Sequence, residues 1–487
     1  MHADTTEIIK AGFLARNGLL TDADIEAASD LLARVADSDT ETVRVLFADQ
    51  HGIMRGKTIV GSALLSAFTT GIAMPSTLML KDTSNRTVFP LWTEKDFIVP
   101  EALLRAGDLV MVPDPKTFRT LPWSAHSSWI LCDVATKLGQ PFPYDPRTIL
   151  KKAIAKLDLK NISMRVGLEV EFHVFERLDS KLHHEDGTMP GASPETRLLA
   201  QGYQFLSENT YDQLEAIMDE LRHSAQALGL PVRSMEVEMG PSQFEFTFEP
   251  DTPMVHADNM MMFRSMVKEV CARRDLHATF MCRPRVENGA SSGWHLHQSL
   301  IDTDSGQNLF TPSEEGEITP TASNWIAGLL KHAAESCLLT TPTVNGYKRY
   351  QPFQLAPDRI QWGVDNRGSM IRGLMRPNDP ASRIENRVAD TTANPYYFFA
   401  SQILGGLAGI NGDLTAPAPI EASYDSEAPA LPKSMIAAVE AFEGGTLFQT
   451  ELGQDFVNYL SHIKRAEWDR YLMTVSEWEQ REYFSLF

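Results

Sequence analysis

"RVGLEVEFHV", residues 165–174, alternates with a period of two. Val166, Leu168, Val170, Phe172 and Val174 fall at every second position, the pattern of a strand with one face in a core. Glu169 and Glu171 alternate with them and project together from the other face. Two like charges side by side on a strand repel, so a strand that keeps both needs something to gather them.

Similar oddities lie further along the chain. "EMGPSQFEF" (238–246) carries Glu238 and Glu245 on two strands flanking a Gly-Pro turn. "SGWHLHQSL" (292–300) carries His295, His297 and Ser299 on one strand face. "SRIENRVAD" (382–390) sets Glu385 between Arg383 and Arg387. Carboxylates with one imidazole form a ligand set for two hard divalent cations, Mg²⁺ or Mn²⁺. The plainer alternative is solvated strand faces and salt-bridged ends. It suits any one of these glutamates better than it suits the whole set.

Arginines gather in the same part of the chain. "NGYKRYQPFQLAP" (345–357) contains Arg349, and "DNRGSMIRG" (365–373) contains Arg367 and Arg372. A guanidinium holds phosphate or carboxylate through a planar two-pronged fork. Arginine forks beside cations suit phosphoryl transfer, where catalysis is mostly positioning and charge neutralisation. "HGIMRGKTIV" (51–60) is not a phosphate loop. Only three residues separate Gly52 from Gly56, and "TIV" reads as strand where the loop needs a helix.

The chain has 487 residues, 43% of them hydrophobic and 22% charged, as in a globular protein. A net charge of −20 argues against nucleic acid as a partner, because phosphate backbones need a basic face. No apolar run reaches the length of a membrane span, and no leader pattern opens the chain. Cys132, Cys271, Cys282 and Cys337 form no C-x-x-C pair and read as scattered thiols of a cytoplasmic protein.

The pattern predicts an N-terminal helical segment over 1–40, including "TDADIEAASDLLARVAD" with Thr21 or Asp22 as N-cap. "TVRVLFADQHGIMRGKTIV" (42–60) reads as a hairpin, and "DLVMVPDP" and "SSWILCDV" as further strands. Residues 41–140 form a small domain on a mixed sheet. "GQPFPYDPR" (139–147) marks its end, and 141–487 form the larger domain. Helices and strands mix there without βα regularity, so the fold class is α+β.

With these motifs in this order, from the E-x-E strand to "RIENRVAD", "ANPYYFFA" and "WEQREYF", the chain resembles the glutamine synthetase family. The resemblance implies an N-terminal β-grasp domain, a glutamine-synthetase-type catalytic α/β domain and a homo-oligomer of stacked rings, a dodecamer. It implies ATP as co-substrate and two or more Mg²⁺ or Mn²⁺ ions per site. Glu171, Glu238 and Glu245 would hold one ion, and Glu169, His295 and Glu385 another. His297, Ser299, Arg367, Arg372 and Arg383 would meet ATP, and Arg349 and Arg387 would hold L-glutamate. Arg367 and Arg387 would be the catalytic arginines. The ligase reading competes with a non-catalytic relative, against which the complete ligand set argues. It also competes with a phosphagen kinase, which the H-x-H-x-S and R-I-E-N-R strands fit less well.

Departures from the family pattern bear on the substrate. Ammonia-using members carry a Glu just before the Ala-Pro that follows the K-R pair; here that place is Leu355. The D-G-S-S stretch of their small domain has no match in "AMPSTLMLKDTSN" (73–85), and "NGASSGWH" (288–295) alters the amino-acid-binding segment. Losing two carboxylates makes the nucleophile pocket less attractive to ammonium and more attractive to an apolar amine. The expected activity is ATP-dependent joining of the glutamate γ-carboxyl to an organic amine, aromatic or alkyl, rather than ammonium. The alternative is a true glutamine synthetase. The expected amine pocket is Leu355, Phe353 and Trp294.

Overall fold

The computed structural model describes residues 2–91, 103, 106–179, 182–351 and 355–487. Three helices, His2–Lys10, Phe13–Arg16 and Asp22–Ala36, lead the chain. Thr21, not Asp22, caps the third. Its hydroxyl accepts from the Asp24 amide at 3.2 Å, and the Asp24 carboxylate accepts from the Thr21 amide at 3.1 Å.

The first sheet contains β1 (Thr42–Ala48), β2 (Met54–Val60), β3 (Ile72–Pro75), β4 (Asp108–Pro113), β5 (Arg119–Thr120) and β6 (Ser127–Thr136). Its order is β2-β1-β6-β4-β3, with β5 on β6. Only β1 and β6 run parallel, so the sheet is mixed. The β1–β2 hairpin turns on Asp49, whose Oδ1 accepts from the amides of His51 and Ile53 at 2.9 and 3.0 Å. Gly56 sits where a Cβ would meet the Val45 carbonyl at 1.9 Å. The two glycines of "HGIMRGK" thus serve a hairpin, Gly52 with a φ of +69° in its turn.

The second sheet positions the site. Its strands are β7 (Ile162–Arg177), β8 (Thr196–Leu198), β9 (Val232–Val237), β10 (Gln243–Asp251), β11 (Leu276–Thr279), β12 (Trp294–Asp302), β13 (Trp362–Val364), β14 (Ile371–Leu374) and β15 (Arg383–Asn386). They run in the order β13-β14-β15-β12-β7-β10-β9, with β8 and β11 on β7. All pairs but β13–β14 are antiparallel. Both sheets are thus mainly antiparallel, with helices between strands, and the α+β expectation holds.

One face of this sheet is core. Val166, Leu168, Val170, Phe172 and Val174 are all buried, as are Phe244, Phe246 and Phe248 of β10 and Leu296 and Leu300 of β12. Helix Pro253–Ala272 lays Phe263 edge-on to Phe172 and Phe248. Helix Pro395–Asn411 brings Phe398 and Phe399 against Trp294.

Arg147, in the first turn of helix Pro146–Asp158, ties the two sheets together. It is 2% exposed and donates to Asp258 at 2.9 and 2.7 Å, Asp133 at 2.8 Å and Asp114 at 2.9 Å. Asp133 lies in β6 and Asp114 just after β4. Asp258 belongs to the helix behind the second sheet. Arg147→Ala would remove the guanidinium that these three carboxylates share and leave Asp133 with Lys151. We predict a loss of about 3–5 kcal/mol of stability, read from the urea unfolding midpoint. A loss below about 1 kcal/mol would show that water replaces the guanidinium there.

Candidate active site

The opposite face of the second sheet carries the unusual residues, and strand register arranges them in rows. Glu171 pairs with Glu245, and Glu245 with Glu236, across β7, β10 and β9. One step along β7, His295, Glu169 and Thr247 lie side by side. A further step aligns Arg372, Glu385, His297 and Gly167. Period-two alternation gives all three rows the same face.

Glu169 sits between two imidazoles. His297 Nε2 lies 2.7 Å from its Oε1 and His295 Nδ1 lies 3.2 Å from its Oε2. Arg383 Nε donates to His297 Nδ1 at 3.1 Å, so the His297 proton belongs on Nε2, where it is donated to Glu169. Burial pushes the Glu169 carboxyl up, but the hydrogen bonds from His295 and His297 outweigh it and hold it well below the usual range. Burial, aided by the charge of Arg387, lowers His295 to about 4, which keeps its ring neutral. Glu385 is fully buried. Its Oε2 accepts from Arg372 at 3.1 Å and its Oε1 from Arg387.

Glu171, Glu238 and Glu245 form the other half. Glu171 Oε2 accepts from the Gly293 amide at 2.9 Å and from Gln243 Nε2 at 3.1 Å. Burial, then the charge of Glu238, pushes Glu171 up to about 8. Burial and the charges of Glu171 and Glu169 push Glu245 well up, and burial raises Glu238. Three groupings bring ligand atoms within 4.8 Å of one another: Glu171–Glu238–Glu245, Glu169–Glu245–His295 and Glu169–His297–Glu385. Gathered oxygens with imidazole at the edge fit a hard divalent cation. The first expected ligand set is one of these groupings. The second, Glu169, His295 and Glu385, meets around His295 Nδ1, which is 3.2 Å from Glu169 and 3.6 Å from Glu385.

A cavity of about 520 Å³ opens over these rows. It is lined by Glu169, Glu171, Glu238, Glu245 and His295, by Arg349, Arg367, Arg372 and Arg387, and by Leu355. A second cavity of about 800 Å³ shares Glu169, Glu236 and Thr247 with it and is lined by His297, Ser299 and Arg383. Arg349 is buried and donates to the carbonyls of Arg387 and Val388 at 2.8 and 3.0 Å. Arg387 reaches the carbonyls of Arg367 at 3.1 Å and Leu355 at 3.3 Å. A third cavity, near His51 and Arg264, has no carboxylate in its lining, and Arg264 donates to the carbonyls of Gly52, Thr391 and Ala393.

Trp294 is a correction. It alternates with His295 and His297, so its side chain leaves on the core face. There it is fully buried, with its ring 5.2 and 5.5 Å from those of Phe398 and Phe399. The alternation that groups the histidines excludes it from an amine pocket. Phe353 lies outside the described residues. The sequence reading missed Glu236, Gln243, Phe205, Leu206 and Met239, which all line the first cavity. A period-two signal in "SMEVEM" pointed to Glu236; nothing comparable marked the loop residues.

The raised carboxylates set a pH dependence. Glu171 holds its proton in the fold up to about pH 8, against an ordinary value of 4.5, so the folded state binds more protons than the unfolded chain across that window. Stability from this group is present below the window and is lost as pH rises through it. A divalent cation bound by these carboxylates would take the place of the proton. The gain in Tm on adding Mn²⁺ or Mg²⁺ to chelator-treated protein is therefore expected to be larger at pH 8 than at pH 6. An equal or smaller gain at pH 8, measured by scanning calorimetry, would contradict this arrangement of charge.

Comparison with known proteins agrees with the geometry. The glutamine synthetase catalytic domain family matches residues 143–483. The chain is 39% identical to a gamma-glutamylanilide synthase of Acinetobacter sp., over 98% of this chain and 99% of that protein. It is 30% identical to the glutamine synthetase of Methanosarcina mazei, over 94% and 97% of the two chains. It is also 30% identical to the gamma-glutamylethanolamide synthetase GlnA4 of Streptomyces coelicolor, over 93% and 95%. A solved GmaS–ADP complex is similar with a TM-score of 0.77 and 27% identity, over 94% of this chain and 99% of that one. The family match over most of the chain, on a sheet that gathers carboxylates, imidazoles and arginines, makes this chain a member of the glutamine synthetase family.

Proposed function

We propose that the protein joins the γ-carboxyl of L-glutamate to an organic amine, with ATP converted to ADP and phosphate. The observation that carries this reading is Leu355. It lines the same cavity as the carboxylate rows, and its carbonyl accepts from Arg387. Ammonia-using members of the family carry a proton-accepting Glu at this place. The relatives named for anilide and ethanolamide products support the same reading.

In this reading a γ-carboxylate oxygen of glutamate attacks the γ-phosphorus of ATP and ADP leaves. The amine nitrogen then attacks the acyl carbon, the acyl–phosphate C–O bond breaks, and the departing phosphate takes the proton that the nitrogen loses. Arg349 and Arg387 hold glutamate. Arg367, Arg372 and Arg383 hold the phosphates, and His297 and Ser299 meet the nucleotide from the second cavity. Arg367 and Arg387 also offset charge that develops on the transferred phosphoryl group. Glu171, Glu238 and Glu245, and Glu169, His295 and Glu385, would hold two Mg²⁺ or Mn²⁺ ions, which when bound neutralise phosphate charge. Leu355 offers no base, which suits an aromatic amine that is already neutral near pH 7.

The rest of the reading follows the family. The mixed sheet of 41–140 is a β-grasp domain after a helical 1–40, and 141–487 is the catalytic domain. The chain works in the cytoplasm as a homo-oligomer of stacked rings, a dodecamer. Among the described residues no helix is long and apolar enough to cross a membrane. A second reading, a true glutamine synthetase, is favoured by relatives of that name at 30–31% identity.

Two variants test the reading. Arg387 uses Nε, Nη1 and Nη2 on three separate acceptors, which a lysine cannot do. Arg387→Lys should lower kcat/KM for glutamate roughly 10- to 100-fold, the loss expected for charged hydrogen bonds of about 1.5–3 kcal/mol. A change within about twofold would remove Arg387 from glutamate binding and leave it only its buried bonds to Glu385 and the two carbonyls. Leu355→Glu should shift the ratio of kcat/KM toward ammonium and away from an aromatic amine, because a carboxylate attracts the cation, accepts its proton and is costly to desolvate beside a ring. A wild type that prefers ammonium over every organic amine promotes glutamine synthetase to the first reading.

A further inference from the structure

Part of the cavity that Leu355 lines is an apolar wall, and its backbone is held in an unusual conformation. Phe205, Leu206 and Met239 line the first cavity and are 49%, 59% and 37% exposed. Tyr203, Leu206 and Leu355 have φ values of 60°, 56° and 52°. Large side chains rarely occupy this left-handed region, which costs about 1 kcal/mol or more per residue and persists where the surroundings impose it. They are imposed here. Gly202 lies so close to Pro241 that a Cβ would meet its ring at 2.7 Å. The Tyr203 amide donates to the Met239 carbonyl at 2.7 Å, and the Leu206 amide to the Val237 carbonyl at 3.1 Å.

The loop is thus laced to the end of β9, beside Glu238. A loop that only had to reach helix Glu208–Ala227 could use glycine or asparagine at these positions. This one holds leucine where a left-handed residue projects into the cavity.

We propose that Phe205, Leu206, Met239 and Leu355, which line one cavity, form the subsite for the hydrocarbon part of a neutral aromatic amine, and so determine which amine is used. This rests on the ligase reading given above. The occupant follows from charge as well as shape. The four apolar side chains offer an ammonium group no counter-charge of their own, whereas a neutral arylamine has no charge to desolvate against them. Its ring gains by leaving water against the four apolar side chains, with its amino group toward the arginine and carboxylate side.

The test compares kcat/KM for aniline with that for hydroxylamine, a small polar nucleophile, in wild type, Phe205→Ser and Leu206→Gly. The aniline-to-hydroxylamine ratio should fall at least tenfold in each variant, with the loss in the KM for aniline. Leu206→Gly should keep or raise Tm, because glycine accepts a positive φ without strain, so its lost selectivity cannot come from unfolding. Ratios within about twofold of wild type in both variants would overturn the subsite while leaving the ligase reading in place. A wild type that turns over hydroxylamine or ammonium but no organic amine overturns the function itself, and the subsite with it. That result is read on the unaltered protein, so the two failures are distinct.

Discussion

The repulsion among glutamates gathered on one face of one sheet is the constraint around which the molecule is arranged. Two unit charges 4 Å apart repel by about 4 kcal/mol at the effective dielectric of a protein surface. The sheet places Glu171, Glu245 and Glu236 side by side, with Glu169 one step away and Glu385 two strands from β7. Each is treated differently. Glu169 is answered by two imidazoles and Glu385 by two guanidinium groups, and both carboxyls are held below the ordinary range. Glu171, Glu238 and Glu245 are not matched in this way and are pushed up. The unequal treatment divides the site into a half whose carboxylates are held ionised and a half whose carboxyls are pushed toward the protonated form.

Such a site needs a rigid support, and the same strands supply it from behind. Every residue that separates two site residues on β7 points into the aromatic core around Phe172, Phe246 and Phe263. Displacing a carboxylate by one residue would turn a phenylalanine or valine into the cavity and a glutamate into the core. Register is therefore fixed by hydrophobic burial, and the spacing of the charges follows from it. Arg147 extends the same logic between the sheets, since its aspartates belong to β6, the segment after β4 and the helix behind the site.

What was legible in the sequence was whatever alternation encodes. "RVGLEVEFHV", "EMGPSQFEF" and "SGWHLHQSL" announce which residues share a face, and the carboxylates and histidines were found that way. Trp294 was misread because adjacency to His295 was given more weight than the alternation that sends it to the core. Phe205, Leu206 and Met239 were missed for a different reason. They lie on a loop and at a strand end, where no period connects sequence to direction, and only long-range packing against Pro241 and Val237 brings them to the cavity. The family resemblance sets Leu355 where ammonia-using members carry an acid, but does not show that its backbone is left-handed or that its carbonyl meets Arg387.

The apolar wall and the acidic cluster are coupled through a short piece of chain. Met239 contributes its side chain to the wall, its carbonyl to the Tyr203 amide and its own amide to Glu238 Oε2 at 2.9 Å. Glu238 is in turn a member of the carboxylate grouping with Glu171 and Glu245. A movement of the loop that admits a larger amine would therefore pull on the hydrogen bond that orients Glu238. The reverse also holds: a cation that draws Glu238 toward Glu171 and Glu245 tightens the stretch on which the loop rests. By linkage, whatever free energy a bound cation contributes to ordering the amine wall, a bound amine returns to the cation site. Specificity for the amine and affinity for a cation would in this sense be one property of residues 237–241.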